Sequence, residues 1–292
     1  MKNMKKILTI TALSLASQIT FAQDGANELK NFRFGLKVTP SVNWYKPEGK
    51  LIAANGAGLK FGGGLILEFR LAKVASFQTG LQIDLEGGKV KYNNGGVSAN
   101  NATTVSYYYS NTEDVIEEYN SAPSDSASSY TFNQSHTHFQ LNERKYRATY
   151  ITIPIMLKLK TKEIGTMIYF GQFGFNTSFR WKASADDKVT VLAPSANPGA
   201  TDAKSKIDVT KDMAFFKASL AFGGGFEMNL SGTTSLVVGL NYNLGFTNAV
   251  KNESDYLEKK TNGPTSGSTV SYSKLPQSIK SNAVVLTVGV LF

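Results

Sequence analysis

Ala283-Val284-Val285-Leu286-Thr287-Val288-Gly289-Val290-Leu291-Phe292 is the stretch that decides the fold. Counting back in twos from Phe292 puts Val290, Val288, Leu286 and Val284 on one face. Leu291, Gly289, Thr287, Val285 and Ala283 take the other face, which is mostly small. Period two marks a strand, because successive side chains leave a pleated backbone on opposite sides. An apolar outer face ending in an aromatic is what a transmembrane β-barrel offers its insertion machinery. Phe292 is therefore read as a C-terminal insertion signal.

Seven earlier segments repeat the pattern. In 32–45, Phe32, Phe34, Leu36 and Val38 oppose Arg33, Gly35, Lys37, Thr39, Ser41 and Asn43. In 59–71, Leu59, Phe61, Leu65, Leu67 and Phe69 oppose Lys60, Gly62, Gly64, Glu68 and Arg70. In 74–92, Phe77, Leu81, Ile83 and Leu85 oppose Ser76, Gln78, Gln82, Asp84 and Glu86. In 146–160, Ile151, Ile153, Ile155, Leu157 and Leu159 oppose Thr152, Pro154, Met156, Lys158 and Lys160. Segments 167–182, 214–230 and 235–250 alternate in the same way, with Phe173, Phe175, Phe222, Leu240 and Leu244 on their bulky faces.

A soluble barrel of eight strands would have to bury those bulky faces, and its interior has room only for modest side chains. The bulky face therefore belongs against lipid. The reading is all-β: an eight-stranded antiparallel up-and-down transmembrane β-barrel. Its links alternate in length. Tight turns fall near 72–73, 161–165 and 231–234, against long links at 46–58, 93–145, 183–213 and 251–281. Short periplasmic turns and long external loops are the outer-membrane arrangement. Aromatics fall at the expected rims, with Trp44, Phe179, Trp181 and Phe246 outside and Phe32, Phe69, Phe77, Phe226 and Phe292 inside.

The other end of the chain agrees. Lys2, Lys5 and Lys6 precede a short apolar run at 7–16 and then Thr20-Phe21-Ala22. Residues 1–22 read as a cleaved signal peptide, 23–31 as a periplasmic lead and 32–292 as the barrel. The chain has no cysteine, so neither a lipid anchor nor a disulfide framework is expected. The formal charge of +9 includes those three lysines, leaving +6, spread along strands with no nucleic-acid motif. Nucleic acid is thus not an expected partner; outer-membrane lipid is.

The inward charges define the candidate site. Arg33, Lys37, Glu68, Arg70, Lys158, Lys160 and Glu227 fall near the periplasmic end; Lys60, Asp84, Glu86, Arg180 and Lys217 lie nearer the outside. Buried charges must pair, so Glu68 and Glu227 are expected to bind Arg70, Lys37 or Lys158, forming a structural plug. The excess of positive charge leaves a narrow anion-preferring path as the alternative.

Chemistry is poorly signalled. His136 and His138 sit in a polar stretch beside Ser135, which suits a solvated loop better than a lipid-modifying site. Two histidines without a third ligand do not define a metal site. Glu113, Asp114, Glu117 and Glu118 lack the spacing of a calcium loop. The glycine triplets 62–64 and 223–225 lie inside strands, where they suit close packing rather than phosphate binding. No enzyme activity, cofactor or metal is expected.

Tyr150-Ile151-Thr152-Ile153-Pro154-Ile155-Met156-Leu157-Lys158 resembles the signature strand of the PorT-like barrels of Bacteroidota-type bacteria. Tyr150, Ile153, Pro154 and Lys158 carry the motif. The resemblance implies an eight-stranded outer-membrane barrel and an accessory role in protein secretion, with envelope or secretion proteins as partners. Pro154 has a physical reading of its own. A mid-strand proline lacks the ladder donor and predicts a bulge or an unpaired position.

Overall fold

The computed structural model describes residues 31–93, 103–109, 138–192, 199–262 and 269–292, with strand fragments at 115–116, 120–121 and 130–131. The expected signal peptide and lead, His136 and the 113–118 acidic run lie outside the fully described stretches. Eight wall strands form a closed ring. The first comprises Phe32–Val38 and Ser41–Pro47, the second Ala57–Lys60 and Gly62–Ala72, and the third Ala75–Thr79, Gln82–Glu86 and Lys89–Tyr92. The others are His138–Lys160, Met167–Val191, Phe216–Ser231, Thr234–Gly245 and Ile279–Leu291. Each pairs antiparallel with the next, and the eighth closes on the first through Leu36↔Val290 and Val42↔Val284. Closure leaves the ring no free edge, the condition for a sheet to sit in hydrocarbon.

The alternation has the sense expected. Phe34, Leu36, Phe61, Leu65, Phe173, Phe222 and Leu240 are exposed on the outside, while Arg33, Glu68, Asn176, Lys158, Asn241 and Glu227 are buried inside. Aromatics gather at the periplasmic rim, where Phe69 lies 5.0 Å from Phe32 and 6.3 Å from Phe77. Phe34 and Phe292 stack at 5.6 Å across the closing seam.

The wall does not stop where the sequence reading ends it. The fourth strand starts at His138, inside the expected 93–145 loop, and the fifth runs to Val191, inside 183–213. These strands have 23 and 25 residues, against roughly 10 needed to cross the bilayer. The surplus builds a β-crown beyond the membrane. Thr201–Asp208 pairs with the fifth strand, and Glu253–Asn262 pairs with Thr269–Pro276. Thr103–Tyr109 bridges the fourth strand to Glu253–Asn262.

The physical reason for the longer wall is a reversal of polarity. On the fourth strand Leu159, Ile155 and Ile153 face outward within the membrane, but Lys145 faces outward above it. Inside, Lys158 and Thr152 give way to Tyr150, Tyr146 and Leu141, all buried. Above the membrane the barrel is built like a soluble one, apolar within and charged without.

Pro154 causes no bulge. It pairs with Asn176 in unbroken register, and the nearest shift is at Thr149/Tyr150. On its other edge the pairing passes from Thr152↔Gln82 to Met156↔Gln78, so Pro154 falls at the gap between two segments of the third strand. The unpaired position is supplied by the neighbour.

The second glycine triplet makes room for an aromatic that the sequence reading did not turn inward. Phe170 is buried and packs with Ile66, Val237 and Leu291. It lies across from Gly225, which faces Gly239 on the next strand. A Cβ at Gly225 would stand 2.9 Å from the Phe170 ring and against the Val238 carbonyl. Gly225→Val should therefore cost about 1–3 kcal/mol through overpacking. A lowered urea midpoint for refolded protein in lipid vesicles checks this; an unchanged midpoint would mean that the ring has free space.

Candidate functional site

The lumen is organised in three levels. At the periplasmic end Arg33, Glu68, Lys158, Lys160 and Glu227 converge from four strands. Arg33 donates one nitrogen to Glu68 at 2.9 Å and to Glu227 at 2.7 Å. Lys158 binds Glu68 at 3.2 Å and also Glu227. Lys160 binds Glu227 at 2.9 Å and also Glu68. Lys158 is 0% exposed, and its ammonium sits 4.1 Å from the Phe170 ring centroid. Three cations and two carboxylates thus satisfy one another in a nearly fully buried cross-section, where either sign alone would be costly.

Two expected members take other places. Glu68 and Glu227 bind Lys158 as anticipated, but Arg33 and Lys160 fill the roles proposed for Lys37 and Arg70. Arg70 lines a cavity of about 10 Å³ at the periplasmic mouth, beside Arg33, Glu68 and Lys160. Lys37 stands one level up. The cause is register: Arg33 sits directly across from Glu68, whereas Lys37 is opposite Gly64, four residues further along the strand.

The middle level is a polar chamber of about 50 Å³, lined by Lys37, Gln78, Gln82, Gln172, Asn176 and Asn241 with Pro154 and Met156. Gln172 donates to Asn241 at 2.6 Å and Gln82 to Asp84 at 2.6 Å. The space suffices for a few waters. Above it Lys217 pairs with Glu86, and its ammonium lies 4.4 Å from the Tyr150 ring.

The upper level is an apolar core inside the crown. Tyr45, Val90, Tyr92, Leu141, Tyr146, Val189, Ile207, Met213 and Ile279 are buried together there. Arg144 is buried at its centre. It grips Asp187 with two hydrogen bonds of 2.6 Å, reaches the Tyr256 hydroxyl, and lies 3.7 Å from Asp212. Asp212 in turn accepts from Gln277 at 2.8 Å and from the Tyr146 hydroxyl at 3.3 Å. Burial opposes the charge on Arg144, yet Asp187 together with Tyr256 and Tyr146 outweighs it and holds the guanidinium above its ordinary pKa. Burial also raises the Tyr146 and Tyr256 phenols well above theirs, so both stay neutral. Sequence reading missed this network, because every member but Tyr146 lies in a segment taken for a loop.

The family-motif residues divide by face. Tyr150, Pro154 and Lys158 point inward, spaced by four, while Ile153 is half exposed to lipid. His138 opens the fourth strand, its backbone paired with Tyr108, rather than lying in a loop. Among the described residues no three His, Cys, Asp or Glu side chains come together to hold a metal.

A closed eight-stranded ring with an apolar belt, short turns at one end and a β-crown at the other defines an outer-membrane β-barrel protein. Residues 21–251 match the outer membrane protein beta-barrel domain family, and the chain belongs to that family. Similar solved structures include Neisserial surface protein A, at 11% identity and TM-score 0.36, covering 90% of this chain and 96% of that one. The outer membrane protein OprG from Pseudomonas aeruginosa is similar at 10% identity and TM-score 0.35, covering 89% and 95%. A major outer membrane protein from Thermus thermophilus gives 10% and 0.34, covering 88% and 98%. No curated protein matches the chain.

Proposed function

We propose that this outer-membrane barrel is a sealed, non-enzymatic scaffold that holds a folded crown at the cell surface. One observation carries the reading: the lumen is filled at both levels that a solute would have to pass. The five-residue ion cluster occupies the periplasmic end, and the apolar core around Arg144 occupies the outer end. A scaffold needs rigidity across the membrane and a presented surface outside it, and both are built here. The likeness of 150–158 to the PorT-like signature strand supports an accessory role in protein secretion as the form this scaffold takes.

Two other readings have less support. A small-solute pore would need a continuous aqueous path, and the chamber of about 50 Å³ lies between the two seals. A lipid-modifying enzyme would need a poised base at a lipid-accessible cleft, and among the described residues no such grouping supports it. The test is isolation of the tagged protein from native outer membranes after mild cross-linking, read by mass spectrometry. Stoichiometric envelope or secretion proteins are the expected result. Recovery of the barrel alone, at every cross-linker length, would count against a scaffold.

A further inference from the structure

The middle chamber of the lumen holds a charge that the wall around it does not answer. Lys37 is the one charged residue that lines it; the polar rest are amides and hydroxyls, among them Gln78, Gln172, Asn176 and Thr287. No carboxylate lines it. Among the described residues the Lys37 side chain makes no ion pair and no hydrogen bond. The third strand offers Asp84, but that residue lies opposite Gly62, one inward position beyond the Gly64 that faces Lys37. It accepts from Gln82 at 2.6 Å instead.

The levels on either side do not supply the missing anion. Below the chamber Arg33, Lys158 and Lys160 meet only Glu68 and Glu227. Above it Lys217 is matched by Glu86. Even with Asp84 set against Lys37, one of these cations is left over. The surplus borders the chamber, because Phe170 lines it and the Lys158 ammonium sits 4.1 Å from that ring's centroid. Charge in an enclosed lumen is costly without a counter-ion.

The lining suits a small anion. Lys37 brings an ammonium with three N–H donors, and the amides and hydroxyls bring more. Thr39, Gln82 and Gln172 also line the chamber, and each keeps a buried oxygen without a partner. A water between such an oxygen and an anion donates one hydrogen to each. A space of about 50 Å³ takes a few waters, and a monatomic anion fits in the place of one of them.

We propose that the chamber binds a single halide ion, such as chloride, against the Lys37 ammonium. The ion supplies the counter-charge that the lumen wall lacks, and so belongs to the folded barrel as a structural component.

Anomalous diffraction tests this, on crystals of the full chain refolded and crystallised in sodium bromide. Refolding in the halide makes the result independent of whether the barrel ends are closed. Wild type should show one anomalous peak inside the lumen, in contact with the Lys37 Nζ. Lys37→Met, close in length but uncharged, should lower that peak at least tenfold. The absence of a lumenal peak in wild type would overturn the proposal and mean that water alone fills the chamber. So would a peak against another lumenal cation such as Lys217, or one that survives Lys37→Met. The wild-type map decides the matter even if Lys37→Met fails to refold.

Discussion

Arg144→Met is expected to destabilise the crown by about 3–5 kcal/mol, because it takes from the buried Asp187 carboxylate the guanidinium that grips it. Asp187 is 0% exposed at its side chain, and Arg144 supplies both of its 2.6 Å hydrogen bonds. The damage should be local. The crown core and the small cluster around Phe170 at the membrane level are separate apolar clusters, and the wall at that level is held by its own ladder. Hydrogen exchange on protein in vesicles reads the difference. Amides of Leu141 and Val189 should exchange at least a hundredfold faster, while those of Ile155 and Phe222 stay protected. Replacing both partners by apolar residues, as in Arg144→Met with Asp187→Leu, should recover most of the loss, since the cost lies in the buried charge that has lost its guanidinium. Unchanged protection in Arg144→Met would show that water reaches Asp187 and that the outer end is not dry.

The largest effect is expected from Glu68→Gln combined with Glu227→Gln. The native cluster sets three cations against two carboxylates. The double variant leaves Arg33, Lys158 and Lys160 facing one another with no counter-charge, and refolding into vesicles should fall below a tenth of wild type. Lys158→Met is the instructive contrast. It removes a buried cation together with its contact to Phe170, yet leaves two cations and two carboxylates, so it should cost far less despite deleting the most enclosed side chain of the five. Folding yield by gel mobility ranks the two variants. If Lys158→Met proved as damaging as the double variant, packing rather than charge balance would hold the periplasmic end together.

How much of this was legible in sequence follows from the polarity of the alternation. Within the membrane, a bulky outer face and a polar inner face are visible in twos, and Phe34/Arg33, Leu67/Glu68 and Leu157/Lys158 fall on the faces expected. Above the membrane the faces exchange character, and residues 138–145 read as a polar loop although they continue the same strand. The signal was present in Tyr146 and Ala148, which share the period of the lipid-facing pattern and differ only in phase, while Leu141 reaches the inner face only through the register shift at Leu141/Glu143. The ion cluster was legible in membership more than in pairing. Which cation meets which glutamate depends on interstrand register, and register puts Arg33, rather than Lys37, beside Glu68. Phe170 was hidden for another reason. An inward aromatic is unexpected in a charged lumen until Gly225 and Gly239, on two other strands, are seen to make room for it.

Closure of the barrel at both ends is tested most directly by single-channel recording on the purified protein in planar bilayers. A quiet trace at both polarities, without reproducible discrete steps, is the expected result. Steps of constant amplitude that scale with protein added would contradict closure, because no ion path could then be blocked by both the Glu68–Glu227 cluster and the core around Arg144.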